Sequence, residues 1–316
     1  MEDGLSRRER VGFNVRRGRA GRAIELIAQA EAAGISTAWM TMGAMGSDTL
    51  TLYAAAAVQT DAIKLGTSII PAFTREPFAV ATQALVLDDL APGRLLLGVG
   101  ISHGPTMGGI YGVPFDRPLS RLREYLQVLR PILHEGEVEF RGEFYSVRGR
   151  LPGAPGTPVL ISALGSKSFE TAGELTDGAI SWVTPLDYMH DVALPAMERG
   201  AERAGRERPD LVAHISVAFA GSREDAYAAA RKELGIYSQM PFYQQMFAGS
   251  GYPLGSNNEY SDELLDQLVL VGDEDSIGER LNQLLDSGFD HLLVMPIPVS
   301  DRASEERRLI ELLGRL

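Results

Sequence analysis

The residue with the clearest chemical capacity is His103, which closely follows an apolar run, 94-RLLLGVG-100. Histidine gains and loses a proton near neutral pH more readily than other side chains, and the run predicts that it stands just past the end of a buried strand. The two glycines that close the run raise the alternative of a dinucleotide-binding turn, which needs G-x-G-x-x-G at the start of a helix. The third glycine would fall at position 103, and the residues after it, with Pro105 and 108-GG-109, do not predict a helix. This disfavours the dinucleotide turn.

A second segment, 163-ALGSKS-168, follows a predicted strand and precedes a predicted helix. The first turn of a helix has unpaired backbone N–H groups and the positive end of the helix dipole, which together favour an anion such as phosphate. Lys167 adds a positive charge, although the G-x-x-x-x-G-K-[ST] spacing of a P-loop is absent. The alternative is ordinary helix capping by the hydroxyl of Ser166 or Ser168, and the segment alone leaves both open.

Other catalytic classes find no support in the residue types. The chain has no cysteine, which excludes disulfides, thiolate nucleophiles and Cys-ligated metals. The histidines at positions 103, 134, 190, 214 and 291 lack the H-E-x-x-H spacing, so no metal site is predicted. His214 lies within a predicted strand and is expected to be a satisfied core histidine. No G-x-S-x-G motif supports a serine hydrolase.

Apolar strands alternate with helices along all 316 residues. The strands are mostly continuous apolar runs, which are typical of parallel strands covered on both faces. Repeated βα units predict a doubly wound sheet or a (β/α)8 barrel, and a count of eight strands favours the TIM barrel. The predicted strands are 10–15, 37–42, 64–70, 94–100, 158–164, 178–183, 211–220 and 290–297, and the predicted helices are 20–34, 49–60, 77–91, 116–136, 167–176, 186–205, 222–234 and 273–288.

Two segments interrupt the alternation. Residues 138–147 predict a small inserted hairpin. Residues 235–262 predict a long irregular region rich in aromatic residues, methionine and glycine, which is either a lid over the site or an apolar surface that packs on the barrel or on a second subunit. No linker divides the chain, so residues 1–316 are expected to form a single domain.

A barrel places its active site at the carboxyl ends of the strands. Ile101, Ser102 and His103 directly follow the fourth strand, which puts them at such an end. Gly98 and Gly100 would let a flat ligand approach the backbone closely, or they would relieve crowding inside the barrel.

The formal net charge of −12 argues against nucleic acid or an anionic membrane as the main partner, while a small anion needs only a local site. The first residues contain no apolar signal region, and no apolar run approaches the roughly 20 residues that span a bilayer. The sequence therefore predicts a cytoplasmic protein that acts on a small molecule.

Several segments together resemble the luciferase-like flavin and deazaflavin oxidoreductases, and they cover most of the chain. They are 64-KLGTSIIPAFTREPFAVATQALVLDDLAPGRLLLGVGISH-103, 113-VPFDRPLSRLREYLQVLRPIL-133, 140-FRGEFYSV-147 and 158-PVLISALGSKSFETAGELTDGAISW-182. Within the family, 102-SH-103, 115-FDRP-118 and 237-YSQMPFYQQMF-247 resemble the branch that uses the deazaflavin coenzyme F420. The resemblance implies a TIM barrel with insertions, a homodimer, and a cofactor that lies across the strand ends.

The resemblance also implies roles at individual positions. A non-proline cis peptide that backs the cofactor ring maps onto Ser68-Ile69, and residues 101–103 would line the ring edge. Residues 163–167 would bind the cofactor phosphate. The full set implied to bind the cofactor is Met40, Thr41, Ser68, Ile69, Ile101, Ser102, His103, Ala163, Leu164, Gly165, Ser166, Lys167, Trp182 and Thr184.

This chain departs from the family pattern after strands two and four. Many deazaflavin users carry an acidic residue and a histidine where this chain has 40-MTMGAMG-46, and the branch that oxidises sugar phosphates has a glutamate in place of His103. The expected function is therefore an F420-dependent oxidoreductase that exchanges a hydride with an apolar or unsaturated small molecule. His103 is the expected proton donor or hydrogen-bond partner, supported by Ser102. The alternatives are an FMN-dependent monooxygenase and a non-catalytic protein that stores flavin or deazaflavin.

Overall fold

The computed structural model describes residues 5–16, 18–43 and 46–316, so positions 44 and 45 of the uncharged segment lie outside it. Eight parallel strands each pair with the next in chain order, and the last pairs with the first. This closed barrel confirms the predicted TIM fold with insertions. The strands are β1 (Val11–Asn14), β2 (Thr37–Met40), β3 (Lys64–Thr67), β4 (Leu95–Gly100), β5 (Val159–Ser162), β6 (Gly178–Ile180), β7 (Asp210–Phe219) and β8 (His291–Pro296).

The barrel interior contains two layers of side chains, because alternate residues of a strand face the same side. The lower layer is an apolar cluster of five residues, Trp39, Leu160, Ile180, Val212 and Leu293. The upper layer, two residues farther toward the carboxyl end of each of these strands, is more polar and comprises Thr41, Ser162, Trp182, His214 and Met295. The polar side of the interior therefore lies at the end where barrel active sites form.

The opposite face of each strand packs against the surrounding helices in one continuous core. A short helix, Leu186–Tyr188, and a π-helical turn, Met189–Ala193, lead into the seventh helix. The helices are α1 (Ala20–Ala32), α2 (Thr49–Ala57), α3 (Pro77–Leu90), α4 (Gly104–Gly109), α5 (Pro118–His134), α6 (Ser166–Leu175), α7 (Leu194–Ala204), α8 (Arg223–Ser238), α9 (Pro241–Gly249), α10 (Asp262–Leu268), α11 (Glu274–Asp286) and α12 (Arg302–Leu313). None of the helices in the described part of the chain combines the length and apolarity needed to cross a membrane.

The inserted hairpin is confirmed, with antiparallel strands Glu137–Arg141 and Ser146–Arg150. The irregular region predicted at 235–262 is wrong, since α8 extends into it and α9 lies within it. Pro241 is tolerated in the first turn of α9, where a backbone N–H has no helical partner. The buried Tyr243, Met246 and Phe247 follow helical spacing, and their burial stabilises the helix.

Several further elements were not predicted from the sequence, among them the helices α10 and α12. The residues after His103 form the short helix α4, with Pro105 in its first turn, so the prediction of no helix there is wrong. A short strand, Val269–Gly272, pairs with the far end of β7. It occupies the edge that the three-residue β6 leaves free, because β6 pairs with β7 only at 210–212.

Candidate functional site

The carboxyl ends of β2, β3 and β4 are joined by side-chain hydrogen bonds around a break in the third strand. The Ser68–Ile69 peptide is cis, as the resemblance implied, and the chain resumes with Ile70–Pro71 beside β4. The Thr41 hydroxyl donates to the Ser68 carbonyl at 2.8 Å. One residue before Ser68, the Thr67 hydroxyl donates to the Gly98 carbonyl at 2.7 Å. These bonds hold the three strand ends in one surface.

The glycines of β4 are required by crowding inside this surface. A Cβ at Gly98 would lie 2.0 Å from the Thr67 carbonyl oxygen and 2.7 Å from the Cδ1 atom of Ile180. A Cβ at Gly100 would lie 2.2 Å from the Ser162 hydroxyl oxygen. Of the two sequence-based explanations, the structure therefore supports relief of crowding.

His103 stands between β4 and α4, half-buried against helix α9. Its ring centroid lies 5.9 Å from that of the buried Tyr243. Burial lowers the pKa of His103, so the imidazole is neutral at neutral pH and offers one N–H and one lone pair. No protein partner bonds these ring nitrogens among the residues that the structure describes. These surroundings suit a neutral His103 that forms hydrogen bonds better than a protonated, positively charged His103 that acts as an acid.

Helix α9 packs at the mouth of the barrel, meaning the end formed by the carboxyl ends of the eight strands. Tyr243 contacts Tyr237 and His103 with ring centroids at 5.0 and 5.9 Å, and Phe242 lies 6.2 Å from Phe115 in the loop that follows α4. The helix packs on the barrel, which is one of the two sequence-based explanations. It also borders His103, the position that a lid over the site would occupy.

Two non-glycine residues at strand ends adopt left-handed backbone conformations. Ser102, after β4, has φ 59°, and Val183, after β6, has φ 48°. A positive φ is uncommon for serine and rare for a β-branched valine, and such residues concentrate at functional sites. The Val183 N–H donates to Nδ1 of His214 at 3.3 Å, so a buried side chain fixes this conformation.

The amino terminus of α6 carries an uncapped set of backbone donors. Its N-cap is Gly165, no side chain caps the helix, and a Cβ built on Gly165 would meet open space. The capping alternative is therefore wrong. The Ser166 hydroxyl instead accepts a hydrogen bond at 3.2 Å from Arg199, a cation that was not anticipated from the sequence. Arg199 is also paired with the Glu170 carboxylate at 3.2 Å, so the backbone donors and the exposed Lys167 are the groups at this helix end that suit an anion.

The remaining predicted residues divide between the mouth and the core. Ile69 and Trp182 both pack against the lower layer of the barrel interior. The side chains of Met40 and Ala163 are buried in the core between barrel and helices, so only their backbone atoms are available to a ligand. Ile101 and Leu164 are half-buried at their strand ends, and Thr184 is buried, with its hydroxyl 3.3 Å from the Trp182 carbonyl.

His214 is buried beneath Trp182, with ring centroids 4.0 Å apart. Burial lowers its pKa to about 3, so it is neutral at neutral pH. Because Nδ1 accepts the Val183 N–H, the proton resides on Nε2, and Nε2 finds no partner among the described residues. The expectation of a satisfied core histidine is therefore wrong. The signal that could have found it is the polar alternation at positions 214 and 216 of an otherwise apolar strand.

Within the described residues, no group of three or more His, Asp or Glu side chains is placed to bind a metal ion. A family model described as luciferase-like monooxygenase matches residues 6–291. A putative coenzyme F420-dependent oxidoreductase of Mycobacterium tuberculosis is 30% identical over 301 residues, covering 81% of this chain and 85% of that protein.

Two solved structures share the fold. An F420-dependent secondary alcohol dehydrogenase in complex with an F420-acetone adduct has a TM-score of 0.79 and 17% identity, covering 97% of each chain. A type II Baeyer–Villiger monooxygenase, the oxygenating constituent of 3,6-diketocamphane monooxygenase from Pseudomonas putida, was solved with FMN. It has a TM-score of 0.73 and 19% identity, covering 100% of this chain and 94% of that one.

Proposed function

The chain belongs to the luciferase-like monooxygenase family and is an enzyme, and from this premise we propose that it is a coenzyme F420-dependent oxidoreductase acting on a small organic molecule. The observation that carries the proposal is the uncapped helix end at Gly165, with Lys167, on the strand-end side of a luciferase-like barrel. F420 is favoured because the 30% identical relative is described as a putative F420-dependent oxidoreductase.

The residues at the strand ends fit a flat, phosphorylated cofactor. The backbone N–H groups of residues 165–167 have no partners among the described residues, and Lys167 would neutralise part of the charge of a phosphate. Ile69 and Trp182 provide an apolar surface for a ring. When bound, the deazaflavin would supply hydride exchange, while the protein orients the reactants and excludes water.

His103 and Ser102 are the proposed residues nearest the chemistry. The neutral imidazole of His103 would donate or accept one hydrogen bond at the ring edge or at the substrate, and Tyr243 limits its motion. The left-handed backbone conformation of Ser102 would fix the direction of the chain between β4 and α4, and with it the position of His103. Their half-buried position, under α9, would also exclude water from the reacting atoms.

Titration of the purified protein with F420 and with FMN, followed by cofactor fluorescence, tests the proposal. We expect F420 to bind in the micromolar range or tighter and FMN to bind at least about tenfold more weakly, a difference of about 1.4 kcal/mol. Tight FMN binding without F420 binding would instead support the monooxygenase alternative, which the likeness to the FMN-bound oxygenase favours. Binding of F420 without turnover on any of a panel of ketones, enones and imines would support the storage alternative.

Lys167→Ala is expected to weaken binding of F420 about tenfold, because one charge-assisted contact to phosphate contributes about 1.5 kcal/mol. The same change should leave binding of the dephosphorylated deazaflavin core unchanged. Lys64→Ala is a matched control, since Lys64 is exposed at the opposite, amino-terminal end of β3. Equal losses for the two ligands would contradict the phosphate assignment.

We also propose a cytoplasmic homodimer of single-domain subunits. Val86 and Leu90 on α3 and Val58, directly after the neighbouring α2, expose apolar side chains that would be covered by a second copy. Light scattering should report a dimer for the wild type and a larger monomer fraction for Val86→Glu, which places a charge in that surface. A wild-type monomer at all concentrations would refute it.

A further inference from the structure

Three buried polar atoms of the barrel interior have no hydrogen-bond partner among the described residues. They are Nδ2 of Asn14, Nε2 of His214 and the hydroxyl oxygen of Ser216. The three side chains are 7%, 3% and 1% exposed. A buried polar group without a partner costs about 1–3 kcal/mol, so such a group in a native fold calls for a ligand or a bound water.

The three residues lie together on one side of the barrel. Phe13 pairs with Val294, so Asn14, the next residue of β1, stands beside Met295 of β8. Met295 in turn pairs with Ser216 of β7. His214 lies two residues before Ser216 on β7, so the two are successive inward-facing residues of that strand. Asn14 and Ser216 therefore lie in one row on either side of Met295, and His214 lies in the row below. The three residues form one patch across β7, β8 and β1.

On the opposite side, two buried atoms without a partner among the described residues, Oγ1 of Thr49 and Nη1 of Arg75, belong to helix α2 and to the loop before α3, and not to the barrel strands. There, the Thr41 hydroxyl is bonded to the Ser68 carbonyl and the Thr67 hydroxyl to the Gly98 carbonyl. The cis peptide, His103 and the anion site at Gly165 also follow strands β3 to β5. Among the described barrel strands, the buried side chains with an unpartnered polar atom are therefore confined to β7 and β1, away from the strands that carry the features assigned to the cofactor.

Asn14 and Ser216 stand on strands two apart, with roughly 9.6 Å between their backbones, and both side chains face the barrel interior. A ligand oxygen that entered between these strands would meet donors from both sides. Met295, unbranched and half-buried between them, is flexible enough to move aside.

All three groups can act as neutral donors. The Asn14 amide and the Ser216 hydroxyl donate N–H and O–H, and His214 donates from Nε2 because its Nδ1 accepts the Val183 N–H. None of them carries a charge at neutral pH. Such a set favours a neutral acceptor whose oxygen gains negative charge during reaction over a carboxylate or phosphate, which would require a cation.

We infer that Asn14, His214 and Ser216 form the binding site for a carbonyl or hydroxyl oxygen of the substrate, which places the substrate among ketones, aldehydes or alcohols. The inference rests on the proposed function, because it assigns β3 to β6 to the cofactor. In the reductive direction, the carbonyl carbon takes a hydride from the reduced deazaflavin and the oxygen takes a proton from water. The three donors would stabilise the negative charge that develops on that oxygen.

The test compares two ligands that differ only at the oxygen, cyclohexanone and methylenecyclohexane. Their dissociation constants are measured by ligand-detected NMR on the full-length protein, with and without F420. We expect the wild type to bind the ketone at least about fivefold more tightly, as one neutral hydrogen bond contributes about 1 kcal/mol. Ser216→Ala and Asn14→Leu should each lower this ratio by up to about fivefold, the contribution of one neutral hydrogen bond. Tyr125→Phe is the control and should leave the ratio unchanged, because it removes a buried, unpartnered hydroxyl that lies on α5, outside the barrel interior.

The outcomes separate this inference from the proposed function. The oxygen-site inference would be overturned by a wild-type ratio of one or by binding of neither ligand. It would also be overturned if the variants kept the wild-type ratio, which is the result expected when a resident water satisfies the three groups. Ser216→Ala removes a single oxygen and keeps the test available if Asn14→Leu does not fold. Failure of the wild type to bind F420, with the ketone preference intact in the protein alone, would refute the cofactor assignment and leave the oxygen site standing.

Discussion

Gly98→Ala is expected to lower the free energy of unfolding by at least about 3 kcal/mol, or to prevent folding. The new Cβ would lie 2.0 Å from the Thr67 carbonyl oxygen, which is a backbone atom next to the cis Ser68–Ile69 peptide. It would also lie 2.7 Å from the Ile180 side chain in the lower layer of the barrel. Overpacking a well-packed core costs about 1–3 kcal/mol, and backbone on one side prevents the usual relief by rotamer change.

Urea denaturation, followed by far-ultraviolet circular dichroism, measures this loss. Gly108→Ala is the matched control, because nothing lies within 4 Å of a Cβ built at Gly108 and the residue is part of helix α4. Alanine there should change stability by less than about 0.5 kcal/mol, or increase it, since alanine has the higher helix propensity. Equal stabilities for the two variants would contradict the crowding that the structure shows around β4.

His214→Gln is expected to remove part of the acid sensitivity of the fold. Burial lowers the pKa of His214 to about 3, whereas the unfolded chain binds this proton near pH 6.5. The depressed pKa therefore contributes stability that is fully present above pH 6.5 and is lost as the pH falls toward 3. Each pH unit in that window removes up to about 1.4 kcal/mol from the free energy of unfolding.

Between pH 6.5 and pH 5, the wild type should thus lose about 1.5 kcal/mol more than the variant, measured by denaturant titration at each pH. Glutamine does not titrate, and its amide oxygen can replace Nδ1 as acceptor for the Val183 N–H. Ser216→Ala is the control, because it alters a buried polar residue two positions along β7 that does not titrate. If His214→Gln kept the full wild-type slope over this range, the acid sensitivity would have another origin.

The strand count and the barrel were predictable from the sequence because parallel strands covered on both faces are continuously apolar, as in 94-RLLLGVG-100. The helix α9 was not, because Pro241 and the nearby glycines are also typical of loops. The helical stripe of Tyr243, Met246 and Phe247 becomes decisive only when the barrel is there to cover it. Likewise, the strand Val269–Gly272 exists because β6 is too short to pair with all of β7.

The candidate site was predictable where a local motif or a resemblance marked it, as at Ser68-Ile69, His103 and Lys167. Asn14, His214 and Ser216 carry no motif, and their common feature is a shared register across three strands that are distant in sequence. Arg199 reaches the α6 terminus from another helix. Interactions of this kind depend on tertiary placement, so the polar alternation at 214 and 216 could have marked those two positions but not their grouping with Asn14 or the contact of Arg199 with α6.

The close contact between the tilted rings of Trp182 and His214 has a spectroscopic consequence. The chain contains two tryptophans, and both face the barrel interior, Trp39 in the lower layer and Trp182 above it. A Trp39→Phe protein would emit from Trp182 alone, with an imidazole ring 4.0 Å away. Its emission would then respond to any aromatic ligand that covers the indole and to the protonation of the ring beneath it, which makes the mouth of the barrel observable without a label.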